Sequence, residues 1–124
     1  MSQRIKLKTR IMRKIILFLD DSRNASDYVD IKNNIVRQSF TYNEFTIDVQ
    51  DYFFLYGRID EVWFDHDLGD PNGDGYDCAK YLVKFCDENG YKLPKWYIHS
   101  ANPVGRDNID SYLKSYLKSL ENEK

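Results

Sequence analysis

The sequence is poor in cysteine, histidine and proline, with two, two and three in 124 residues. Cys78 and Cys86 lie in a stretch of helical periodicity, which sets them about 12 Å apart along a helix axis and beyond disulfide reach. They read as free thiols of a reducing compartment, and a cystine-stapled scaffold is excluded. No apolar run approaches the roughly 20 residues that cross a bilayer. The longest near the start, Ile15 to Leu19, is too short and too late for a signal sequence, so a cytoplasmic address and no membrane partner are expected. A dominant charge is missing too: 18 lysines and arginines face 20 aspartates and glutamates, net −2, which gives no strong nucleic-acid or membrane-surface signal. No repeat or low-complexity tract interrupts the chain.

What is present is enough for one core. A hydrophobic fraction of 42% with 15% aromatics is too rich for a disordered chain, and 124 residues make one domain. Arg4, Lys6, Lys8, Arg10, Arg13 and Lys14 crowd the start with no acidic residue among them. Residues 1–13 therefore read as a basic arm, either a solvated terminus, an added edge strand or an anion contact, ahead of a domain over 14–124.

Ile15 to Leu19 is a continuous apolar run ending in Asp20-Asp21, the pattern of a strand buried on both faces of a parallel sheet. A polar stretch follows, with a short helical turn near Ala25 to Val29 and a weaker strand over Ile35 to Phe40. Thr41 and Glu44 carry a capping-box signature, Phe45, Val49, Phe53 and Tyr56 recur near the helical period, and Gly57 supplies a stop. Val62 to Phe64 is a strand ending in Asp65, and the loop to Gly75 is broken by Gly69, Pro71 and Gly73. Tyr76, Ala79, Leu82, Val83 and Cys86 mark a second helix closed by Asn89-Gly90. Trp96 to Ile98 is a strand ending at His99-Ser100, and Ile109, Leu113, Tyr116, Leu117 and Leu120 line a last helix that opens after Gly105. Such alternation predicts an α/β fold, a small doubly wound parallel sheet with helices over both faces. Function in such sheets collects at the carboxyl ends of the strands, here at Asp20, Asp21, Asp65, His66, Asp67, His99 and Ser100.

Carboxylates from two neighbouring strand ends repel one another or take up protons unless a cation sits among them. Asp20, Asp21, Asp65 and Asp67 are the candidate ligands of a hard divalent ion, Mg2+ or Mn2+, since Mg2+ takes one or two carboxylates directly and keeps several waters. Each aspartate alone also reads as a helix cap or turn former. The run Asp70 to Gly75 mimics a calcium loop, but no glutamate stands at the twelfth place and no helix precedes it, so the EF-hand reading fails.

The run Ile15 to Asp21, the acid Asp65 after a strand, Gly75 opening a helix and Ser100 after a further strand resemble the receiver domain of two-component response regulators. The resemblance implies that Asp20, Asp21 and Asp65 hold magnesium, that Asp65 accepts a phosphoryl group and that Ser100 contacts it. Two features depart from that family: after Ser100 the sequence offers one helix only, without the fifth strand or the lysine that pairs with the phosphoryl group. Two runs are added, Phe64-Asp65-His66-Asp67-Leu68-Gly69 and the segment from His99 to Arg106. Both resemble a truncated relative, the cyclic-phosphate-processing receiver domains of bacteria and phages, over roughly Lys14 to Leu120. This implies a receiver/flavodoxin-like sheet of strand order 2-1-3-4, nucleotide-derived signalling, and the cytoplasm of a bacterium or phage-infected host.

A metal-bound phosphate ester needs charge neutralisation, an oriented nucleophile and an acid for the leaving oxygen. Asp65, His66 and His99 are the candidate catalytic residues. The histidines serve as base and acid, hold the phosphate by hydrogen bonds, or pack as scaffold. Ser100, Asn102, Arg106 and Arg23 are candidate substrate contacts, with Arg106 able to fork onto phosphate oxygens at a helix start or to sit on the surface. Three functions follow: a Mg2+-dependent phosphohydrolase or phosphodiesterase acting on a cyclic or phosphorylated nucleotide, a phospho-accepting signalling module at Asp65, and a non-catalytic nucleotide binder or sponge. A haloacid-dehalogenase or topoisomerase-primase type of site is disfavoured because the further acids or lysine it needs have no counterpart.

Overall fold

The computed structural model describes residues 13–123. The basic arm, apart from Arg13, lies outside the described residues. The elements are β1 (Ile15–Leu19), a 3-10 turn (Ala25–Asp27), β2 (Ile35–Ser39), α1 (Tyr42–Tyr56), β3 (Glu61–Phe64), α2 (Gly75–Asn89), β4 (Lys95–Ile98) and α3 (Pro103–Asn122). The four strands pair in parallel in the order β2-β1-β3-β4, a truncated receiver-like α/β fold.

Local chemistry accounts for the boundaries. All five residues of β1 are buried, as the unbroken apolar run requires of a central strand. The Thr41 side chain caps α1 by accepting from the Glu44 amide at 3.1 Å, while the Glu44 carboxylate accepts from the Phe40 amide at 2.9 Å, one residue ahead of the reciprocal partner of a full capping box. The full box stands on α2, between Asp74 and Asp77. Gly57 and Gly90 close α1 and α2 at φ 71° and 72°, where a Cβ would be strained. The last helix opens before Gly105, not after it. Asn102 caps it through Oδ1 on the Gly105 amide at 3.0 Å, and Pro103, lacking an amide and fixed in φ, takes the first helical position.

Strand residues alternate between two faces, and those faces differ. Ile15, Leu17, Leu19, Val62 and Phe64 join Phe45, Val49, Phe53, Leu82, Cys86, Ile109 and Leu113 in one core, so all three helices pack on a single side of the sheet. Ile16 and Phe18 are buried as well, 2% and 0% exposed, yet on the opposite side. Among the described residues, the helices expected over both faces are thus found on one. The reason is the β1–β2 connection, which holds only the 3-10 turn, leaving Tyr28 to cover Phe18 with ring centroids 5.4 Å apart.

Candidate metal centre at the carboxyl rim

Backbone pairing carries the sheet one residue past each strand: the Asp20 amide donates to Ser39 O, the Asp65 amide to Leu19 O and the His99 amide to Phe64 O, at 3.0 to 3.1 Å. Those bonds fix the first residue of each loop as firmly as the strand before it. One carboxylate oxygen from each of Asp20, Asp21 and Asp65 lies within 4.8 Å of the others. Asp20 and Asp65 are buried and Asp21 is exposed.

Asp20 is ionised by design of its surroundings. Burial opposes its charge, but the amides of Arg23 and Ser22 on Oδ1, together with His99 Nε2 and the Arg23 guanidinium on Oδ2, outweigh it and hold the carboxyl below its usual range. Burial first, and the Asp20 charge second, push Asp65 the other way, above the usual range. A cation among these oxygens relieves both costs at once. The set also suits magnesium in kind: all donors are oxygens, and one of the three carboxylates faces solvent, where the ion keeps its waters. The donor chemistry therefore fits a hard divalent ion.

Around the acids, Arg23 lies 3.3 Å from Asp20 Oδ2 and 3.9 Å from Asp65 Oδ1, with its side chain 38% exposed. His99 donates Nε2–H to Asp20 Oδ2 at 2.9 Å, stacks on Phe18 at 4.6 Å, and is held below the usual histidine range by burial, which outweighs its Asp20 bond. Ser100 is 3% exposed, and its Oγ accepts from the Asn102 amide at 3.1 Å, leaving the hydroxyl proton to donate.

Other predicted residues stand elsewhere. Asp67 lies outside the acidic trio: its carboxylate is occupied by His66 Nδ1 at 2.8 Å and, at 3.5 Å, by Asn102 Nδ2. The opposite ring nitrogen of His66 lies 3.4 Å from Asp74 Oδ2. A Cβ on Gly105 would come 2.3 Å from His66 Cγ, so the imidazole packs directly on the first turn of α3. His66 thus ties the β3 loop to the starts of α2 and α3. Arg106 borders a cavity of about 300 Å³ with Trp96, Ile98, Asp107 and Asp110, on the outer side of β4. A larger cavity, about 460 Å³, opens at the opposite, amino-terminal rim between Lys14, Arg58 and Lys95.

Three contributions escaped the sequence reading, which had Gly69 only as a loop breaker and Gly75 only as the opening of a helix. Gln38 binds the loop after β1 through three bonds, from Nε2 to the carbonyls of Asp20 and Arg23 and from the Ala25 amide to Oε1. Its signal was a polar residue in the middle of a strand. Gly69, at φ 59°, brings its backbone to Asp21, with a built Cβ 3.6 Å from Oδ2. Gly75 sits where a Cβ would meet the Asp65 carbonyl oxygen at 1.9 Å, so only glycine lets α2 start against that loop.

No curated protein and no solved structure matches the chain. One family model does, that of the cyclic-phosphate processing receiver domain, over residues 15–115, from the start of β1 into α3. That span takes in Asp20, Asp21, Asp65, His99 and Ser100 in their strand-end positions, and the chain accordingly belongs to the cyclic-phosphate processing receiver domain family.

Proposed function

We propose that the rim is a divalent-metal site that binds and hydrolyses a phosphate ester, cyclic or nucleotide-derived as family membership suggests. One observation carries this reading, the convergence of Asp20, Asp21 and Asp65 within 4.8 Å. Asp20, Asp21 and Asp65 would hold Mg2+ or Mn2+, which when bound supplies charge neutralisation to phosphoryl oxygens. The remaining work falls to the chain. Arg23, half-exposed beside Asp20 and Asp65, turns outward to meet a phosphate oxygen. Ser100 donates its hydroxyl proton to another. His99 acts through Asp20, keeping that carboxylate ionised and oriented. Asn102 and His66 position the two loops that frame the rim, and Arg106 lies on the flank open to a longer substrate. The reading is tested by incubating the protein with Mg2+ and a panel of cyclic mononucleotides. Turnover lost in Asp65→Asn and on chelation is expected; no turnover of any member overturns hydrolysis.

A second reading, phosphorylation of Asp65 in a signalling module, draws on the Arg23 guanidinium 3.9 Å from Asp65 Oδ1, a cation within reach of the acceptor. Treatment with acetyl phosphate would then add one phosphoryl mass to the native chain and none to Asp65→Asn. Calorimetry showing a nucleotide bound and recovered intact would instead favour a sponge.

A further inference from the structure

Among the described residues no helix covers the other side of the sheet, which carries a row of aromatic rings outside the helical core. Phe18, Trp63 and Tyr97 are register partners across β1, β3 and β4. Residues two apart on a strand share a face, so this row lies one pleat below Asp20, Asp65 and His99, on their side of the sheet. Trp63 stacks on Tyr97 with centroids 4.5 Å apart and planes at 23°. Tyr28, from the β1–β2 connection, tilts over Phe18, over His99 at 5.1 Å and over Trp63 at 6.2 Å. Phe18 is fully buried beneath them, whereas Tyr28 and Tyr97 are 41% and 40% exposed. Rings of this kind beside a polar rim offer apolar faces on which a planar group can stack.

His99 joins this surface to the metal centre. Its ring packs among Phe18 and Tyr28 while Nε2 bonds Asp20. Its Nδ1, buried and an acceptor in the neutral ring, has no partner among the described residues, an unusual state for a buried polar atom. The route from Tyr28 through His99 to the Asp20 carboxylate consists of one ring contact and one 2.9 Å bond, so the exposed ring and the acids are neighbours on one rim.

We infer that Tyr28, Trp63 and Tyr97 are the platform on which the ligand's planar heteroaromatic base stacks, while its phosphate lies among Arg23, Ser100 and the acids. This rests on the reading of the rim as a phosphate-ester site and adds to it the part that selects the ligand. Stacking suits the surface because every nucleobase has a π face, and it asks for no fixed donor pattern.

The test titrates the whole protein with adenosine, AMP and ribose 5-phosphate, each with and without Mg2+, by calorimetry and by tryptophan fluorescence, since Trp63 is one of only two tryptophans. AMP is expected to bind about tenfold or more tighter than ribose 5-phosphate. Tyr28→Ala and Tyr97→Ala should each reduce that preference, while Tyr97→Phe, which keeps a ring, should retain it. Adenosine alone should give saturable quenching without Mg2+, an outcome that upholds the platform even if the rim binds no phosphate. Equal affinities for AMP and ribose 5-phosphate overturn the platform and leave the rim standing. A preference that survives both alanine variants overturns it too, as does a dimer that buries Tyr97 and excludes adenosine. No binding of any of the three overturns both.

Discussion

The two sides of the sheet solve the same burial problem with different materials. On the helical side, aliphatic strand residues meet three amphipathic helices, and the rings at its centre, Phe45, Phe53 and Phe64, are 2% exposed or less, with half-buried aromatics such as Phe85, Trp96 and Tyr112 only at its margin. On the other side, aromatics and a histidine roof the sheet from a loop and from neighbouring strands, and two of the rings remain two-fifths exposed. The first arrangement is closed and serves stability. The second leaves room at the rim, where Asp20 and Asp65 lie one pleat beyond Phe18 and Trp63 on the same side.

This contrast predicts unequal costs for equal truncations. Phe64→Ala on the helical side removes a ring that is 0% exposed and should cost about 3–5 kcal/mol, read from urea unfolding. Tyr97→Ala, across the sheet and 40% exposed, should cost less, about 2 kcal/mol, in proportion to the smaller area it buries and because its loss leaves an open notch and no sealed cavity. Equal losses would mean that the open face is as much a core as the closed one.

The next effect separates stability from ligation at one residue. Asp65 is a buried carboxylate beside an ionised Asp20, so Asp65→Asn removes a repulsion in the metal-free protein. Its urea midpoint without Mg2+ should be unchanged or higher. Its Mg2+ affinity should fall by at least about 100-fold, the upper end of what losing a mere supporting partner costs. With 10 mM Mg2+ present, the order of the midpoints should reverse. A variant less stable than the native chain in both conditions would mean that Asp65 serves the fold and not an ion.

How far the sequence could be read follows from the same two faces. The rim was legible because each acid directly follows an apolar run, Ile15 to Leu19 before Asp20 and Val62 to Phe64 before Asp65, and strand ends of a parallel sheet gather at one edge. The roles of Asp67 and His66 were not, since they depend on the loop path set by Gly69, Gly75 and Gly105, and such backbone approaches leave no periodic mark. The open face was missed for a related reason. Residues 22–33 lack helical periodicity, and Tyr28 looks like an isolated aromatic in a polar stretch until Phe18 and His99 are seen beneath it. The start of α3 was placed late because Asn102 was weighed as a phosphate contact, although Asn before Pro103 is also a good helix cap.

His66 tests whether the rim's frame is rigid apart from its ligands. The ring bonds Asp67 at 2.8 Å, lies 3.4 Å from Asp74 and packs on Gly105. His66→Ala should lower stability by about 2 kcal/mol, within the usual range for losing a packed polar side chain. It should weaken Mg2+ binding less than Asp65→Asn does. A loss of ligation as complete as that of Asp65→Asn would place His66 in the metal's own shell.

The smallest effect lies wholly on the helical side. Cys86 is buried on α2 against the core, and burial alone pushes its thiol up to about 12. The folded chain therefore keeps a proton that the unfolded chain releases above about pH 8.5. Stability contributed in this way is complete below that value and declines as pH rises toward 12. At pH 9.5 the loss amounts to about 1.4 kcal/mol for one such thiol, and Cys86→Ala should remove that part of the alkaline slope. Ellman's reagent at pH 8 should leave both cysteines untouched in the native protein and label both in urea, because Cys78 is buried and its thiol is raised in the same way. Fast native labelling would show the helical side opening readily, and the division of labour between the faces would then fail from the side taken as closed.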